Sequence, residues 1–351
     1  MLAPRVFNND RQADKIRLDE LEVASSTANM KPNLHPRFVT SKIPHALLLA
    51  LFLGLSGSFT LLAAQHVDAP DLIQSYPAGP APLGLAFDGA NIWVVNWNDA
   101  DGNVTKLRAS DGVILDTVIV GNEPIWDTFD GANIWVTVRD DNKVVKIRAN
   151  DGMVLASFQT GVAPEQIVFD GANVWIANLG GTVSKLRASD GTLLGSFPAG
   201  DGAFGLAFDG AHIWVTDGNS NKITKLRASD GVMLGTFDVG EHPLGAIFDG
   251  SKIWVANQNS DSVTVLRAAD GAVLGTFHAG EGPVAFAFDG AEVWLTNNFD
   301  SSVWRFRARN GNLSQVFNVG SYPWDILYDG ANIWVSNSDS DTVSKISRSA
   351  H

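Results

Sequence analysis

Residues 205–240 read GLAFDGAHIWVTDGNSNKITKLRASDGVMLGTFDVG, and this stretch is one complete repeat of the chain. An apolar run ends at the turn residues Asp209-Gly210, and HIWVT follows, rich in the β-branched and aromatic residues that favour strands. KITKLRA alternates polar and apolar residues, as a half-buried strand does. VMLGTFDV follows a second turn at Asp230-Gly231. The stretch therefore predicts four short strands joined by turns.

The same pattern occurs seven times. Its marker is an aromatic residue followed by Asp-Gly, and the marker aspartates are spaced by 42, 40, 39, 40, 40 and 40 residues. A tryptophan follows each marker aspartate after five residues, giving the pairs Asp88/Trp93, Asp130/Trp135, Asp170/Trp175, Asp209/Trp214, Asp249/Trp254, Asp289/Trp294 and Asp329/Trp334. Four strands in about 40 residues are typical of a propeller blade. The sequence predicts an all-β, seven-bladed β-propeller with four antiparallel strands per blade.

The two ends of the repeat region complement each other. The last copy stops after its third strand, whereas residues 71–79, DLIQSYPAG, match the fourth-strand segment TLLGSFPAG of residues 192–200. We expect the N-terminal strand to complete the last blade, because a closed ring removes exposed sheet edges. Residues 65–351 are thus expected to form one propeller domain. The repeated tryptophans are interpreted as packing between blades, since large aromatic side chains dominate buried cores.

Composition and charge exclude several functions. The chain has no cysteine, which excludes disulfides and thiolate zinc sites. Its net charge is −13, of which residues 1–64 contribute +2, so that the remainder carries −15. An acidic body repels phosphate backbones, and we expect no nucleic-acid binding.

The N-terminal segment has the order of residues found in a secretory signal. Residues 46–64 carry no charge, Lys31, Arg37 and Lys42 precede them, and Ala63-Ala64 ends them. We expect residues 1–64 to be an N-terminal extension and secretion signal, with Met30 as a possible true start. Cleavage would place the body in the periplasm, the cell envelope or the medium. An uncleaved membrane anchor is the alternative, because nineteen residues can just span a bilayer.

The repeat consensus G-x-x-P-x-x-x-x-F-D-G-x-x-I-W-V-x-N, followed by V-T-K-L-R-A-S-D-G, resembles the NHL and YVTN-type propeller repeats over residues 70–351. Relatives with such repeats include streptogramin (virginiamycin B) lyase and gluconolactonase-like hydrolases. The resemblance implies, for the lyases, His and Glu residues with a divalent metal at the channel mouth, with Glu often ending the tryptophan-bearing strand. The matching positions here are Asn96, Val138, Asn178, Asp217, Asn257, Asn297 and Asn337. Only Asp217 among them is ionisable, so the lyase set is not visible.

Candidate binding residues lie on one face of the ring. The Asp-Gly turns are nearly the same in every copy, whereas the loops at the other ends of the strands vary, and variable loops are free to specialise. The candidate ligand-binding residues on this side are Trp126, Asp127, Glu165, Gln166, His242, Trp324 and Asp325. Aromatic and acidic side chains together suit a sugar or peptide ligand. The alternative is that these residues only plug the channel or cover loops.

A metal site has weaker support in the sequence. Asp99 and Asp101 lie in a polar turn that resembles a calcium loop but lacks the glutamate at its far end. No cofactor motif is evident, and Ca²⁺ or Mg²⁺ is the remaining expectation. Two functions stay open: an exported, non-catalytic propeller that binds a protein, peptide or glycan on its variable loops, and a metal-dependent lyase or lactonase. A fold of this kind hosts many functions.

Overall fold

A computed structural model describes residues 72–97 and 101–347. The expected secretion signal at 1–64, its start at Met30 and the candidate ligand Asp99 lie outside the described residues, and so those expectations remain predictions. Within the described ranges no helix is both long enough and apolar enough to cross a bilayer.

The described chain forms seven four-stranded antiparallel sheets. The innermost strands are β2 (Pro82–Phe87), β6 (Pro124–Phe129), β10 (Pro164–Phe169), β14 (Ala203–Phe208), β18 (Pro243–Phe248), β22 (Pro283–Phe288) and β26 (Pro323–Tyr328). The second strands are β3 (Asn91–Asn96), β7 (Asn133–Val138), β11 (Asn173–Asn178), β15 (His212–Asp217), β19 (Lys252–Asn257), β23 (Glu292–Asn297) and β27 (Asn332–Asn337).

The outer half of each sheet is equally regular. The third strands are β4 (Gly102–Arg108), β8 (Lys143–Arg148), β12 (Thr182–Arg187), β16 (Lys222–Arg227), β20 (Ser262–Arg267), β24 (Ser302–Arg307) and β28 (Thr342–Ser347). The outermost strands are β5 (Ile114–Gly121), β9 (Val154–Gln159), β13 (Leu193–Pro198), β17 (Met233–Asp238), β21 (Val273–His278), β25 (Leu313–Asn318) and β1 (Leu72–Pro77). Single 3₁₀ turns at Gln258–Ser260 and Ser338–Ser340 lie in loops.

Consecutive sheets are the seven blades of a β-propeller, numbered from blade 1 (β2–β5) to blade 7. Blade 7 has the order β1-β28-β27-β26, and β1 pairs antiparallel with β28 from Leu72 opposite Ser347 to Pro77 opposite Thr342. The predicted fold and the closure of the last blade by the N-terminal strand are both confirmed. The turns that contain Asp-Gly lie on one side of the ring, here called the turn face, and the remaining connections form the loop face.

The repeated Asp-Gly and tryptophan residues hold each blade together. All seven tryptophans are at most 1% exposed. The Nε1 of each donates a hydrogen bond of 2.7–2.9 Å to the marker aspartate of its own repeat. Trp175 of blade 3 shares a buried cluster with Ile213 and Val215 of blade 4, which confirms the interpretation of these tryptophans as packing between blades. The hydrogen bond explains the spacing of five residues in every repeat.

A lysine links neighbouring blades above the tryptophan ring. In five blades a third-strand lysine lies 4.7–5.1 Å from the ring centroid of that blade's tryptophan; these are Lys106, Lys146, Lys185, Lys225 and Lys345. Each ammonium also donates to an alanine carbonyl of the next blade at 2.6–2.8 Å. Blade 5 has Val265 at this position, and its Lys252 donates to the Ala308 carbonyl at 2.6 Å instead. The lysine hydrogen bond between blades 5 and 6 therefore comes from the second strand of blade 5 instead of the third.

Candidate functional site

The channel at the ring axis is lined by buried side chains of the innermost strands. The second residues of five innermost strands belong to one buried hydrophobic cluster, against which Leu83 packs; they are Ile125, Phe204, Leu244, Val284 and Trp324. The cluster therefore extends around the channel, along the innermost strands of several blades. The seventh residue at this position is Glu165, which is 0% exposed.

The third residue of each innermost strand sets how closely the blades approach. In blade 4 this residue is Gly205, and a Cβ there would lie 2.0 Å from the Leu244 carbonyl oxygen of blade 5. Where the side chain is larger, it reaches the next innermost strand. The Gln166 side-chain oxygen accepts a 2.6 Å hydrogen bond from the Leu206 N–H. Gln166 therefore links blades 3 and 4 near the axis, and Asp325 links blades 7 and 1 in the same way.

Two candidate aspartates flank the innermost strand of blade 1. Asp325 Oδ2, from blade 7, accepts the Leu85 N–H at 2.8 Å. Asp127, from blade 2, approaches the other side: its Oδ1 lies 3.0 Å, and the Ile125 carbonyl oxygen 2.8 Å, from the point where a Cβ on Gly84 would be. Gly84 is needed here because any side chain would displace these oxygens.

The electrostatics of this aspartate pair are unusual. Both residues are at most 8% exposed, and neither carboxyl oxygen of Asp127 has a hydrogen-bond partner among the described residues. Burial raises the pKa of Asp325 to about 7, although the Ile326 and Leu85 amides oppose the shift. Burial, and secondarily the neighbouring Asp325 carboxyl, raises the pKa of Asp127 well above its ordinary value. Burial therefore favours the protonated, neutral form of both carboxyls.

Glu165 is neutralised by an arginine that sequence reasoning missed. The Nε and a terminal nitrogen of Arg139 both donate to Glu165 Oε1, the first at 2.8 Å, and Arg139 also lies 3.9 Å from Glu123. Burial raises the pKa of Glu165, while the Arg139 charge acts in the opposite direction. Two features of the sequence single out these two residues. Glu165 is charged at a position that is apolar in the other six copies, and Arg139 directly follows β7 in the preceding blade.

The loops that lead into the innermost strands have an uncommon backbone conformation. The residue directly before the first residue of each innermost strand has a positive φ in every blade; these are Ala81, Glu123, Ala163, Gly202, His242, Gly282 and Tyr322. Asparagine or aspartate side chains of the preceding blade accept the N–H of several of them, for example Asn221 from His242 at 3.0 Å. A positive φ is uncommon for a bulky residue, and its recurrence in every blade makes this conformation part of the repeat. His242 and Tyr322 are therefore displayed on the loop face at fixed positions.

Aromatic rings run from the surface to the channel at blades 6 and 7. Phe299 is 53% exposed, and its ring centroid lies 6.2 Å from that of half-buried Tyr322. Tyr322 stacks on buried Trp324 with 6.0 Å between centroids and 17° between planes. Gly282, at φ +66°, permits this arrangement, because a Cβ there would lie 2.6 Å from the Phe299 ring. We call Phe299, Tyr322 and Trp324 the aromatic series.

The candidate metal ligands and the position that matches the lyase glutamate do not form a common site in the described residues. The described residues contain no group of three or more His, Cys, Asp or Glu side chains arranged to hold a metal. Asp101 is exposed in a turn. Asp217, at the position that matches the lyase glutamate, accepts backbone N–H groups of Asp201 and Ser220 and so supports loops. Five of the seven candidate ligand-binding residues are buried around the axis, whereas Gln166 and His242 are half-buried.

Comparison with known proteins supports the fold class only. No family model matches the chain, and no curated protein matches it. Among solved structures the chain is similar to one from the hydrazine synthase of Kuenenia stuttgartiensis, with a TM-score of 0.68 and 16% identity over 83% of this chain and 99% of that chain. At this identity the likeness establishes a shared propeller architecture. The resemblance to NHL and YVTN-type repeats stays a prediction.

Proposed function

We propose that the protein is an exported, non-catalytic binding protein whose loop face holds a glycan on the aromatic series. The observation that carries this proposal is the exposed ring of Phe299, supported from below by Tyr322 and Trp324. A rigid aromatic surface binds the apolar face of a sugar ring at little entropic cost. Export is supported by the signal-like order of residues 31–64.

Polar groups beside the aromatic series suit the hydroxyl groups of a sugar. Glu281 and Asp300 are exposed next to Phe299, and the Asp300 carboxylate accepts the Glu281 N–H at 3.1 Å. The carboxylate oxygens that remain can accept hydroxyl hydrogens. Trp324, at the other end of the series, is buried, so that a ligand would contact the exposed end at Phe299.

The purified chain should bind members of an array of defined oligosaccharides, and Phe299→Ala and Tyr322→Ala should each weaken the best binder at least tenfold in calorimetry. A tenfold loss is about 1.4 kcal/mol, which one lost aromatic contact can cause. Val162→Ala is the matched control, since Val162 is 66% exposed in the loop before β10, away from the aromatic series. Absence of any glycan binder would refute the proposal. If the chain instead binds a peptide on an array, and Phe299→Ala and Tyr322→Ala weaken that binding, the ligand of this site is a peptide and not a glycan.

A divalent-metal lyase or lactonase is the second candidate, and one observation favours it. The carboxyl oxygens of Asp127 are buried without partners, and Asp127 Oδ1 and the Ile125 carbonyl converge beside Gly84. Oxygen-only donors fit Ca²⁺ or Mg²⁺, which would supply Lewis-acid chemistry when bound.

This candidate predicts a metal-dependent melting temperature. With Ca²⁺ or Mg²⁺ at a hundred times its dissociation constant, the fold should gain about 2.7 kcal/mol relative to EDTA. Asp127→Asn should abolish the gain, whereas the exposed Asp140→Asn should leave it unchanged. Equal melting temperatures in EDTA and in either metal would remove the enzyme candidate.

A further inference from the structure

The turn face has a repeated ion pair that cancels its own charge. In five blades the turn after the third strand contains an arginine and, three residues later, an aspartate; the pairs are Arg108–Asp111, Arg148–Asp151, Arg187–Asp190, Arg227–Asp230 and Arg267–Asp270, with N···O distances of 2.7–3.1 Å. The aspartate also accepts the backbone N–H two residues later, for example Thr192 at 3.0 Å. Each of these turns is therefore electrically neutral.

Blade 6 departs from this rule at the same turn. Its residues are Arg307, Ala308, Arg309 and Asn310, so an asparagine replaces the aspartate and a second arginine replaces a small or polar residue. The Asn310 side-chain oxygen accepts the Asn312 N–H at 3.2 Å, which preserves the turn. Since the fold needs only an oxygen acceptor here, the loss of the negative charge has no structural cause. Neither Arg307 nor Arg309 has an ion-pair partner among residues 72–97 and 101–347.

The two arginines border a cavity between blades 5 and 6. It has a volume of about 460 Å³, and its wall includes Phe288 and Lys252. Each acidic group in the wall has a cation beside it: Asp249 lies 3.3 Å from the Lys252 ammonium, and Glu292 lies 3.9 Å from the Arg305 guanidinium. The uncompensated charge of the cavity is thus positive, on a protein whose body carries a net negative charge.

The cavity between blades 3 and 4 provides an internal comparison. It occupies the corresponding place on the turn face, has a volume of about 600 Å³ and is lined by Arg227 and Ser229. Arg227 is paired there with Asp230 at 3.1 Å. The arginine of the cavity between blades 3 and 4 is therefore neutralised, whereas the two arginines of the cavity between blades 5 and 6 have no ion-pair partner among the described residues.

We propose that the cavity between blades 5 and 6 binds an oxyanion through Arg307 and Arg309. Guanidinium groups present donors in a planar fork that matches carboxylate, sulfate and phosphate oxygens, and charge-assisted hydrogen bonds to such groups are strong. The ligand group is a sulfate, phosphate or carboxylate, carried by a glycan or a small metabolite. This site lies on the face opposite the aromatic series, and it does not depend on the function proposed for that face.

The test follows the arginine Nε–Hε signals of the isotope-labelled full chain in NMR spectra. Sodium sulfate and sodium acetate are titrated separately against sodium chloride of equal ionic strength. The Arg307 and Arg309 signals should shift with saturation, whereas the Arg227 signal should not. Stronger binding of sulfate would identify a tetrahedral anion, and stronger binding of acetate a carboxylate.

Two substitutions restore the repeat sequence and therefore preserve the fold. Asn310→Asp supplies the missing partner of Arg307, and Arg309→Ser reproduces the residue of blades 3 and 4. Each should weaken anion binding at least tenfold. The proposal is overturned if the shifts do not saturate, if chloride produces them equally, or if neither variant weakens binding.

Discussion

As the pH rises from 4 to 7, the raised pKa of Asp325 should lower the free energy of unfolding by about 4 kcal/mol, and Asp325→Asn should remove this contribution. An acid whose pKa is raised in the folded state binds its proton more tightly there than in the unfolded chain. Its stabilising effect is complete below the unfolded pKa of 3.8 and is lost as the pH rises to the folded value of about 7. Each pKa unit corresponds to about 1.4 kcal/mol.

Urea unfolding at intervals between pH 4.5 and 7.5 measures this slope. Asp127→Asn should also flatten it, because the raised pKa of Asp127 acts in the same direction. Asp140→Asn is the control, since Asp140 is exposed on the loop face. A native profile without slope, or an unchanged slope in both buried variants, would contradict the assignment of the pair as the source.

Further acidification should reverse the trend. For six marker aspartates burial raises the pKa, but hydrogen bonds from the tryptophan, from backbone amides and from a neighbouring side chain outweigh it, so that the pKa lies below 3.8. A group with a depressed pKa stabilises the fold above the unfolded value and loses that effect as the pH falls. Stability should therefore be greatest at mildly acidic pH.

The second large effect is expected at Arg139. Arg139→Ala leaves the carboxylate of Glu165, which is 0% exposed, without its cation, and uncompensated buried charges of this kind cost about 3–5 kcal/mol. The double variant Arg139→Met with Glu165→Leu should recover nearly all of the loss. An apolar residue occupies the position of Glu165 in the other six blades, and a buried ion pair is often no more stabilising than apolar residues of similar volume.

Denaturant midpoints of the single and double variants measure this effect. If Arg139→Ala costs less than 1 kcal/mol, or if the double variant is as unstable as the single one, the ion pair does not carry the stability assigned to it. Glu123→Gln serves as the control, because Glu123 is 3.9 Å from Arg139 and only partly buried.

The fold was predictable because its determinants are local and repeated. Each Asp-Gly turn and its tryptophan lie within six residues, and their hydrogen bond closes within one repeat. The role of β1 was also predictable, since the missing fourth strand of the last copy could be matched to residues 71–79.

The candidate site was less predictable because it depends on departures from the repeat. Every innermost strand has a register shift between its first and fourth residues, so that strand alternation does not give the direction of the side chains there. Asp127 and Asp325 lie at these shifts and approach the innermost strand of blade 1 from two blades. The pairing of Arg139 with Glu165 likewise joins residues that no sequence pattern relates.

The pairing of β1 with β28 also determines the order in which the ring can be completed. These strands are the first and last of the described chain, so β1 has no sheet partner until β28, at Thr342–Ser347, has been synthesised. Pairing between such distant segments slows folding, because a long loop must close before the contact forms. Until then β1 and β28 each have an unpaired strand edge, which is open to association with other chains. The slow step in folding should therefore be the joining of the two ends, after blades 1 to 6 have formed from local contacts.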